Sequence, residues 1–198
     1  MASEFQPFDP RRGFHSTHRN LPHWSLAGAT YFVTFRLADA LPAEVRTRLE
    51  EMRQLNDADA FNWIERYLDA GSGDCTLSLN AHAMIVATAL RHFDNKRYAL
   101  GAYVVMPNHV HALVQPFESF TLTSLVHSWK SYTAHKLQRH AGSRGRVWQE
   151  ESFDRIVRNE EELIKSHEYI LANPAAAHLR PGTFLVGEGS ANWLRRQS

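Results

Sequence analysis

Apolar side chains alternate with other residues along several short stretches of the chain, a pattern that is typical of strands. Residues 30–37 are dense in β-branched and aromatic side chains and predict a first strand that pairs inside the sheet. Two further stretches of this kind, 98–106 and 109–115, are separated by Pro107 and Asn108, which are common in turns. We therefore expect these two strands to be neighbours.

Other stretches place apolar residues three or four positions apart, which predicts amphipathic helices. Pro42 opens the first, and Asn159 caps the last, whose first turn holds three glutamates that suit the helix dipole. We expect that last helix to stop at Pro174. The predicted helices span 43–56, 81–94, 121 or 123 to 140, and 160–173. Residues 57–80 predict another short helix, which we interpret as an acidic excursion from the core.

Strands interspersed with helices that must cover one sheet predict an α+β fold. Two short extended segments, 148–149 and 153–158, complete the predicted elements. We expect a ferredoxin-like or RRM-like antiparallel sheet covered by helices. Residues 28–180 form the predicted domain, preceded by an N-terminal arm over 1–27 and followed by a C-terminal tail over 181–198.

The composition is ordinary for a globular protein, with 198 residues, 43% hydrophobic and 22% charged. No apolar run approaches the ~20 residues that span a bilayer, and no secretory signal is recognisable, so we expect a cytoplasmic protein without membrane contacts. Cys75 is the only cysteine, which excludes an internal disulfide and a thiolate metal cluster within one chain. Any metal ion must then be held by nitrogen and oxygen ligands.

Charge is distributed unevenly although the net charge is only +1. Residues 39–74 carry nine acidic side chains against four arginines, whereas residues 129–158 carry seven basic side chains against three acidic ones. The basic segment suits a polyanion, although a solvated helix face is the simpler alternative. The candidate nucleic-acid contacts are Lys130, Lys136, Arg139, Arg144, Arg146, Arg155 and Arg158.

Two histidines, His109 and His111, lie two positions apart at the start of an apolar strand. Alternate side chains of a strand share a face, which places their Cα atoms roughly 6.5 to 7 Å apart. Both imidazoles can then converge on one metal ion. A pair of hydrogen-bonded histidines at the edge of a core is the alternative, so further evidence must come from elsewhere in the chain.

Tyr169 and Asn173 are four residues apart on the last predicted helix and therefore lie on one face of it. If the helix crosses the sheet beside the histidines, Asn173 can complete a three-ligand site and Tyr169 can reach a metal-bound substrate. Two imidazoles and an amide oxygen suit Mg²⁺ or Mn²⁺, with Zn²⁺ possible in vitro. A core tyrosine and a helix-terminal asparagine are the alternative interpretations.

The chain resembles the HUH-type single-tyrosine transposases, within them the REP-associated tyrosine transposase group. The resemblance covers about residues 28–180 and rests on these motifs: Met106-Pro107-Asn108-His109-Val110-His111, Ser131-Tyr132-Thr133-Ala134, Trp148-Gln149, Phe153-Asp154, Arg158-Asn159, Glu168-Tyr169-Ile170 and Asn173-Pro174. It implies an HUH endonuclease fold and a transposase-like catalytic domain. It also implies the metal ligands His109, His111 and Asn173, and Tyr169 as the nucleophile that attacks hairpin-forming single-stranded DNA and becomes a 5′-phosphotyrosine.

Three alternatives remain open at this point. Tyr132 is a rival nucleophile, although no amide or carboxylate follows it at four residues. An RRM-like binding module would stack bases on Tyr31, Phe32 and Tyr103 without any chemistry. A small-molecule metallohydrolase would need a carboxylate base, for which Asp154 is the candidate. The oligomeric state, monomer or homodimer, is also left open.

Overall fold

The computed structural model describes Phe5, Pro7 and residues 15–18, 22–25, 28–53, 57–142 and 145–194. The strands are β1 His15–His18, β2 Pro22–Ser25, β3 Tyr31–Arg36, β4 Tyr98–Val105, β5 His109–Pro116, β6 Phe153–Ile156 and β7 Leu185–Glu188. The helices are α1 Ala43–Arg53, α2 Asp57–Asp69, α3 Asn80–His92, α4 Leu122–Ala141 and α5 Glu160–Ala176, with a 3-10 turn at Thr76–Ser78. None of the helices in these ranges is long and apolar enough to cross a membrane.

Five strands form one antiparallel sheet in the order β6-β3-β5-β4-β7. The predicted α+β fold is confirmed, and the two strands joined by Pro107 and Asn108 are neighbours, with Val104 opposite His111. Thr34 and Arg36 of β3 lie opposite His111 and His109 on the other side of β5. The histidine strand is therefore the central strand of the sheet, enclosed by backbone pairing on both edges.

Alternation of side chains divides the sheet into two faces with separate cores. One face packs against α3 and α4 through a large cluster that includes Val33, Phe35, Val110 and Trp129. The other face packs against α5 through a smaller cluster that includes Phe32, and His109 and His111 lie on this face because they alternate with Val110. The histidines and α5 therefore share one side of the sheet, which is the condition that the three-ligand hypothesis requires.

Helix α5 extends beyond the predicted stop and ends at Ala176, with Pro174 inside it. Proline removes one hydrogen bond of the helical ladder, the one that its own N–H would donate to the carbonyl of Ile170, and only two residues of the helix follow it. The carbonyls of Asn173 and Pro174 still accept from the backbone N–H groups of Ala177 and Leu179, at 3.0 and 2.9 Å. Asn173 is thus held in regular helix.

Both terminal regions contain strands that the hydrophobic pattern did not predict. In the segment expected to be an arm, β1 and β2 pair as a two-stranded antiparallel sheet. In the segment expected to be a tail, β7 adds to the edge of the main sheet, with Gly187 opposite Tyr103. At four residues each, these strands are too short to show a clear alternation.

Gly187→Ala should test whether β7 is an integral part of the sheet. A Cβ atom there would clash with the ring of Tyr103, which is 1% exposed and cannot move aside. We expect a loss of about 1–3 kcal/mol in the free energy of unfolding, measured by urea denaturation. Val186→Thr, on the exposed side of the same strand, should change it by less than about 0.5 kcal/mol. Equal stability of both variants would contradict this packing.

Candidate metal centre

The side chains of His109 and His111 converge at one point on the α5 face of the sheet. Their Nε2 atoms are 3.0 Å apart, and both residues are fully buried. Two neutral imidazoles can share at most one proton between these nitrogens, so at least one lone pair is directed into the cluster. This arrangement is suited to a shared cation.

Asn108 orients His109 from the turn between β4 and β5. Its Oδ1 atom lies 2.7 Å from His109 Nδ1, and its Nδ2 atom donates to the carbonyls of Leu68 and Ser72, at 3.2 and 3.0 Å. Because the Asn108 oxygen can only accept, Nδ1 carries the proton and Nε2 keeps its lone pair. The turn predicted at this position therefore also fixes the tautomer of a candidate ligand.

His111 is oriented in the same way by a neighbouring strand. Its Nδ1 atom lies 2.8 Å from Thr34 Oγ1, in the pair of residues directly opposite each other on β3 and β5. The ring of Phe32 stacks on the imidazole with centroids 5.3 Å apart. With Nδ1 engaged by Thr34, the Nε2 atom is the one that faces the cluster.

Glu65 of α2 supplies a carboxylate to the same point. Its Oε2 atom lies 3.1 Å from His111 Nε2, and the residue is 6% exposed. One ligand atom each from Glu65, His109 and His111 all lie within 4.8 Å of one another. Since carboxylates are rarely buried without a partner charge, this position indicates a functional or metal-binding role.

Tyr169 is connected to the cluster by its hydroxyl group, which donates a hydrogen bond to Glu65 Oε2. Its ring packs edge-on against His111 and Phe32, with centroids 5.5 and 5.8 Å away. Asn173, one turn further along α5, is 2% exposed, and its Oδ1 atom is buried without a hydrogen-bond partner. The structure thus brings together all four residues predicted from the sequence around one centre.

The protonation states in the cluster follow from burial and from the mutual charges. Burial, together with the neighbouring His111, lowers the pKa of His109 to about 3, so its imidazole is neutral. Burial, the largest single influence, raises the pKa of Glu65, but the charges and hydrogen bonds of His111, His109 and Tyr169 together lower it to about 2. Burial and then the Glu65 charge raise the pKa of Tyr169 well above its usual value. A neutral ligand, a carboxylate and a protonated phenol therefore coexist.

The residues present fit a divalent cation. Besides the facing imidazole nitrogens, the acids of α2 and the amide of α5 supply three of the four buried side-chain oxygens that lack a hydrogen-bond partner among the described residues: Glu65 Oε1, Asp69 Oδ1 and Asn173 Oδ1. Mixed nitrogen and oxygen donors suit Mn²⁺ and Zn²⁺, and oxygen donors suit Mg²⁺. A bound cation would satisfy atoms whose burial is otherwise unfavourable.

Sequence reasoning missed Glu65 and Asp69. Glu65 directly follows Ile64, and Asp69 directly follows Leu68. Both of these apolar residues of α2 belong to the larger core. Burial and the Glu65 charge raise the pKa of Asp69 to about 6. The available signal for a site was a pair of acidic residues four positions apart at the border of an apolar stripe. The acidic composition of residues 57–80 favoured a solvated segment instead.

The predicted basic residues are divided among different parts of the surface. Arg155 lies on the histidine side of the sheet, with its guanidinium 5.2 Å from the ring centroid of Phe32 and its Nη2 atom donating to Ser166 Oγ at 3.2 Å. Lys136 and Arg139 are exposed on α4, which packs on the opposite face of the sheet. Lys130 Nζ donates to the carbonyl of Glu150 at 2.7 Å.

Two more predicted basic residues, Arg146 and Arg158, are exposed, and Arg144 lies outside the described residues. Arg146 is 3.5 Å from a carboxylate oxygen of Glu150. The predicted basic residues that the structure describes therefore do not form one continuous basic surface, but Arg155 lies beside Tyr169.

The alternative candidates are placed less favourably. Tyr132 is 47% exposed on α4, across the sheet from the histidines, and Lys136 Nζ lies 5.7 Å from its ring centroid. Asp154 pairs with Val33 on β3 and so faces the α4 side of the sheet. These positions favour Tyr169 over Tyr132 and remove Asp154 as a base at this centre.

A stacking platform is also absent from the predicted positions. Tyr31, Phe32 and Tyr103 are 2%, 0% and 1% exposed, so none of these rings can stack on a base. The interpretation as a binding module that uses these three rings is therefore wrong.

Mn²⁺ titration calorimetry should report on the ligands directly. We expect His109→Ala and His111→Ala to abolish binding, Glu65→Gln to weaken it by about 10–100-fold through loss of a charged ligand, and Asn173→Ala to weaken it less. Asp154→Asn removes an acid from the other face and should bind like the parent. Parent-like affinity of both histidine variants would exclude the centre.

Residues 80–173 match the family model described as transposase IS200 like. No curated protein matches the chain. Among solved structures, a REP-associated tyrosine transposase bound to a REP hairpin is similar, with a TM-score of 0.49 and 17% identity, over 82% of this chain and 74% of that chain. The family resemblance noted from the motifs is thus confirmed: over residues 80–173, which include both histidines, Tyr169 and Asn173, the chain matches the IS200-like transposases.

Proposed function

We propose that this protein is a metal-dependent single-stranded DNA endonuclease and strand transferase that acts on hairpin-forming DNA through a 5′-phosphotyrosine intermediate. The observation that carries the proposal is the hydrogen bond from Tyr169 to Glu65, whose carboxylate also contacts His111. A candidate nucleophile, a proton acceptor and two imidazole ligands therefore meet at one buried point. They do so in a chain whose residues 80–173 match transposases.

Tyr169 Oη attacks the phosphorus atom of a phosphodiester. The bond between Oη and phosphorus forms as the bond between phosphorus and the 3′ oxygen breaks, and the leaving oxygen takes a proton from solvent. The phenolic proton leaves along the hydrogen bond to Glu65 and is passed on to solvent, because a carboxylate with a pKa of about 2 does not retain it. The new bond conserves the phosphodiester energy, so the free 3′-hydroxyl can reverse the attack and rejoin a strand.

His109, His111, Glu65 and Asn173 would hold the cation, with Mg²⁺ or Mn²⁺ as the expected ions. When bound, the cation would act as a Lewis acid that polarises a phosphate oxygen and offsets its negative charge. The protein contributes the orientation of both imidazoles through Asn108 and Thr34.

The negative charge of Glu65 opposes ionisation of the Tyr169 phenol, so this charge must be compensated before Tyr169 can act as a nucleophile. The Glu65 carboxylate raises the pKa of Tyr169, which holds the phenol protonated while the centre has no added positive charge. Arg155, a basic side chain predicted to contact DNA, has its guanidinium over Phe32 on the same face of the sheet as the histidines. We therefore expect Tyr169 to lose its proton only after positive charge and substrate have been added to the centre.

Tyr169→Phe removes only the phenol oxygen, so we expect the variant to bind Mn²⁺ and DNA but to form no covalent adduct. Tyr132→Phe is the matched control and should form the adduct at the parent rate, because Tyr132 lies across the sheet. The assay is denaturing gel electrophoresis after incubation with a REP-type hairpin oligonucleotide and Mg²⁺, followed by mass mapping of the modified peptide. An adduct on Tyr132, or cleavage by Tyr169→Phe, would refute the proposal.

Arg155→Ala should reduce the salt dependence of binding to single-stranded DNA. If Arg155 neutralises one phosphate, the slope of log affinity against log salt should fall by about 0.7. Lys165 is exposed and pairs with Glu161 on α5, so Lys165→Ala should leave the slope as in the parent. Fluorescence anisotropy between 50 and 300 mM salt measures both. An unchanged slope for Arg155→Ala would place the DNA path elsewhere.

A further inference from the structure

We infer that the cavity beside β3 and α1 binds one nucleotide of the DNA strand next to the scissile phosphodiester. The cavity has a volume of about 460 Å³, within the range of small-ligand sites. That is too large for a lone inorganic phosphate and suits a base with its sugar and phosphate. The inference rests on the proposed function and specifies where the bound strand runs.

The cavity lies next to the candidate metal centre. Arg36 lines it, and Arg36 is directly opposite His109 in the pairing of β3 with β5, so the two side chains share a face. A nucleotide in the cavity would therefore be close in the strand to a phosphodiester at the histidines.

The walls of the cavity are tied to the same turn that orients the metal ligand. The N–H of Leu37 donates to the carbonyl of Asn108 at 2.8 Å, and the N–H of Gln149 donates to the carbonyl of Arg36 at 3.0 Å. Asn108 in turn holds His109 through its side chain. Because both share Asn108, cavity and centre keep a fixed separation, as positioning a scissile bond requires.

The lining carries the functional groups that recognise a nucleotide. Three guanidinium groups, of Arg36, Arg46 and Arg146, can bind a phosphate through paired N–H donors. Arg36 is only 4% exposed, and its Nε atom donates to Gln149 Oε1 at 3.0 Å, which holds its planar group in place. A buried, fixed guanidinium is the feature that distinguishes this cavity from a solvated surface groove.

The remaining polar groups suit the edge of a base. The Gln149 amide and the carboxylates of Glu150 and Glu151 line the cavity beside the arginines. The Gln149 amide is held by the protein, since its Oε1 accepts from Arg36 and its Nε2 donates to the carbonyl of Ala38 at 3.4 Å, whereas a carboxylate can accept from the amino group of cytosine. The cavity therefore combines phosphate-binding and base-reading groups, and we assign it to a nucleotide rather than to an isolated anion.

The test measures binding of a REP-type hairpin with single-stranded flanks by fluorescence anisotropy, using the full chain and a series of oligonucleotides with one abasic site each. One flank position should lose about tenfold in affinity when its base is removed. Ala43→Trp, which fills the cavity, should abolish that position dependence. Arg46→Ala should weaken binding about fivefold or more, while Arg48→Ala, on the same helix but paired with Glu51 outside the lining, should change it less than twofold.

Two results would overturn the inference. One is equal binding of Arg46→Ala and Arg48→Ala with no sensitive abasic position. The other is Arg46-dependent binding of free deoxynucleoside monophosphates with no abasic position dependence, which would identify a site for free nucleotides instead. Adduct formation at Tyr169 is assayed separately on the parent. If either of these two results is found while the adduct still forms, the inference about the cavity is wrong but the proposed function stands.

Discussion

The contact between Glu65, Tyr169 and His111 is the interaction on which the site depends. A carboxylate that is 6% exposed would be costly to ionise on its own, yet His111, His109 and Tyr169 together lower its pKa to about 2. Glu65, Tyr169 and His111 come from α2, α5 and β5, which are separated widely in sequence. A single buried carboxylate therefore ties the acidic helix to both of the elements that carry the predicted chemistry.

The same end of α2 is connected to the centre a second time through Asn108. Its amide group donates to the carbonyls of Leu68 and Ser72 while its oxygen engages His109. Displacement of α2 would therefore disturb the orientation of His109 as well as the position of Glu65. Residues 65–72 therefore support the candidate metal centre, and the strand that holds both histidines is paired on each edge.

The parts of this structure that depend on local pattern were predictable. Alternation located β3, β4 and β5, and the spacing of two in β5 and of four in α5 placed His109, His111, Tyr169 and Asn173 on shared faces. Glu65 could not be found in this way, since its role comes from a contact 104 residues away in sequence. Strand β7 was missed because four residues carry too little alternation, and the extent of α5 because a proline in a last turn costs only one hydrogen bond.

Determination of a crystal structure after soaking with Mn²⁺ tests the central claim most directly. The account predicts an anomalous difference peak within about 2.0–2.4 Å of His109 Nε2, His111 Nε2 and one oxygen of Glu65. A peak that is coordinated by the histidines while Glu65 stays bonded to Tyr169 alone would contradict the role of α2 in the centre. No peak at the histidines under saturating Mn²⁺ would contradict the metal centre itself.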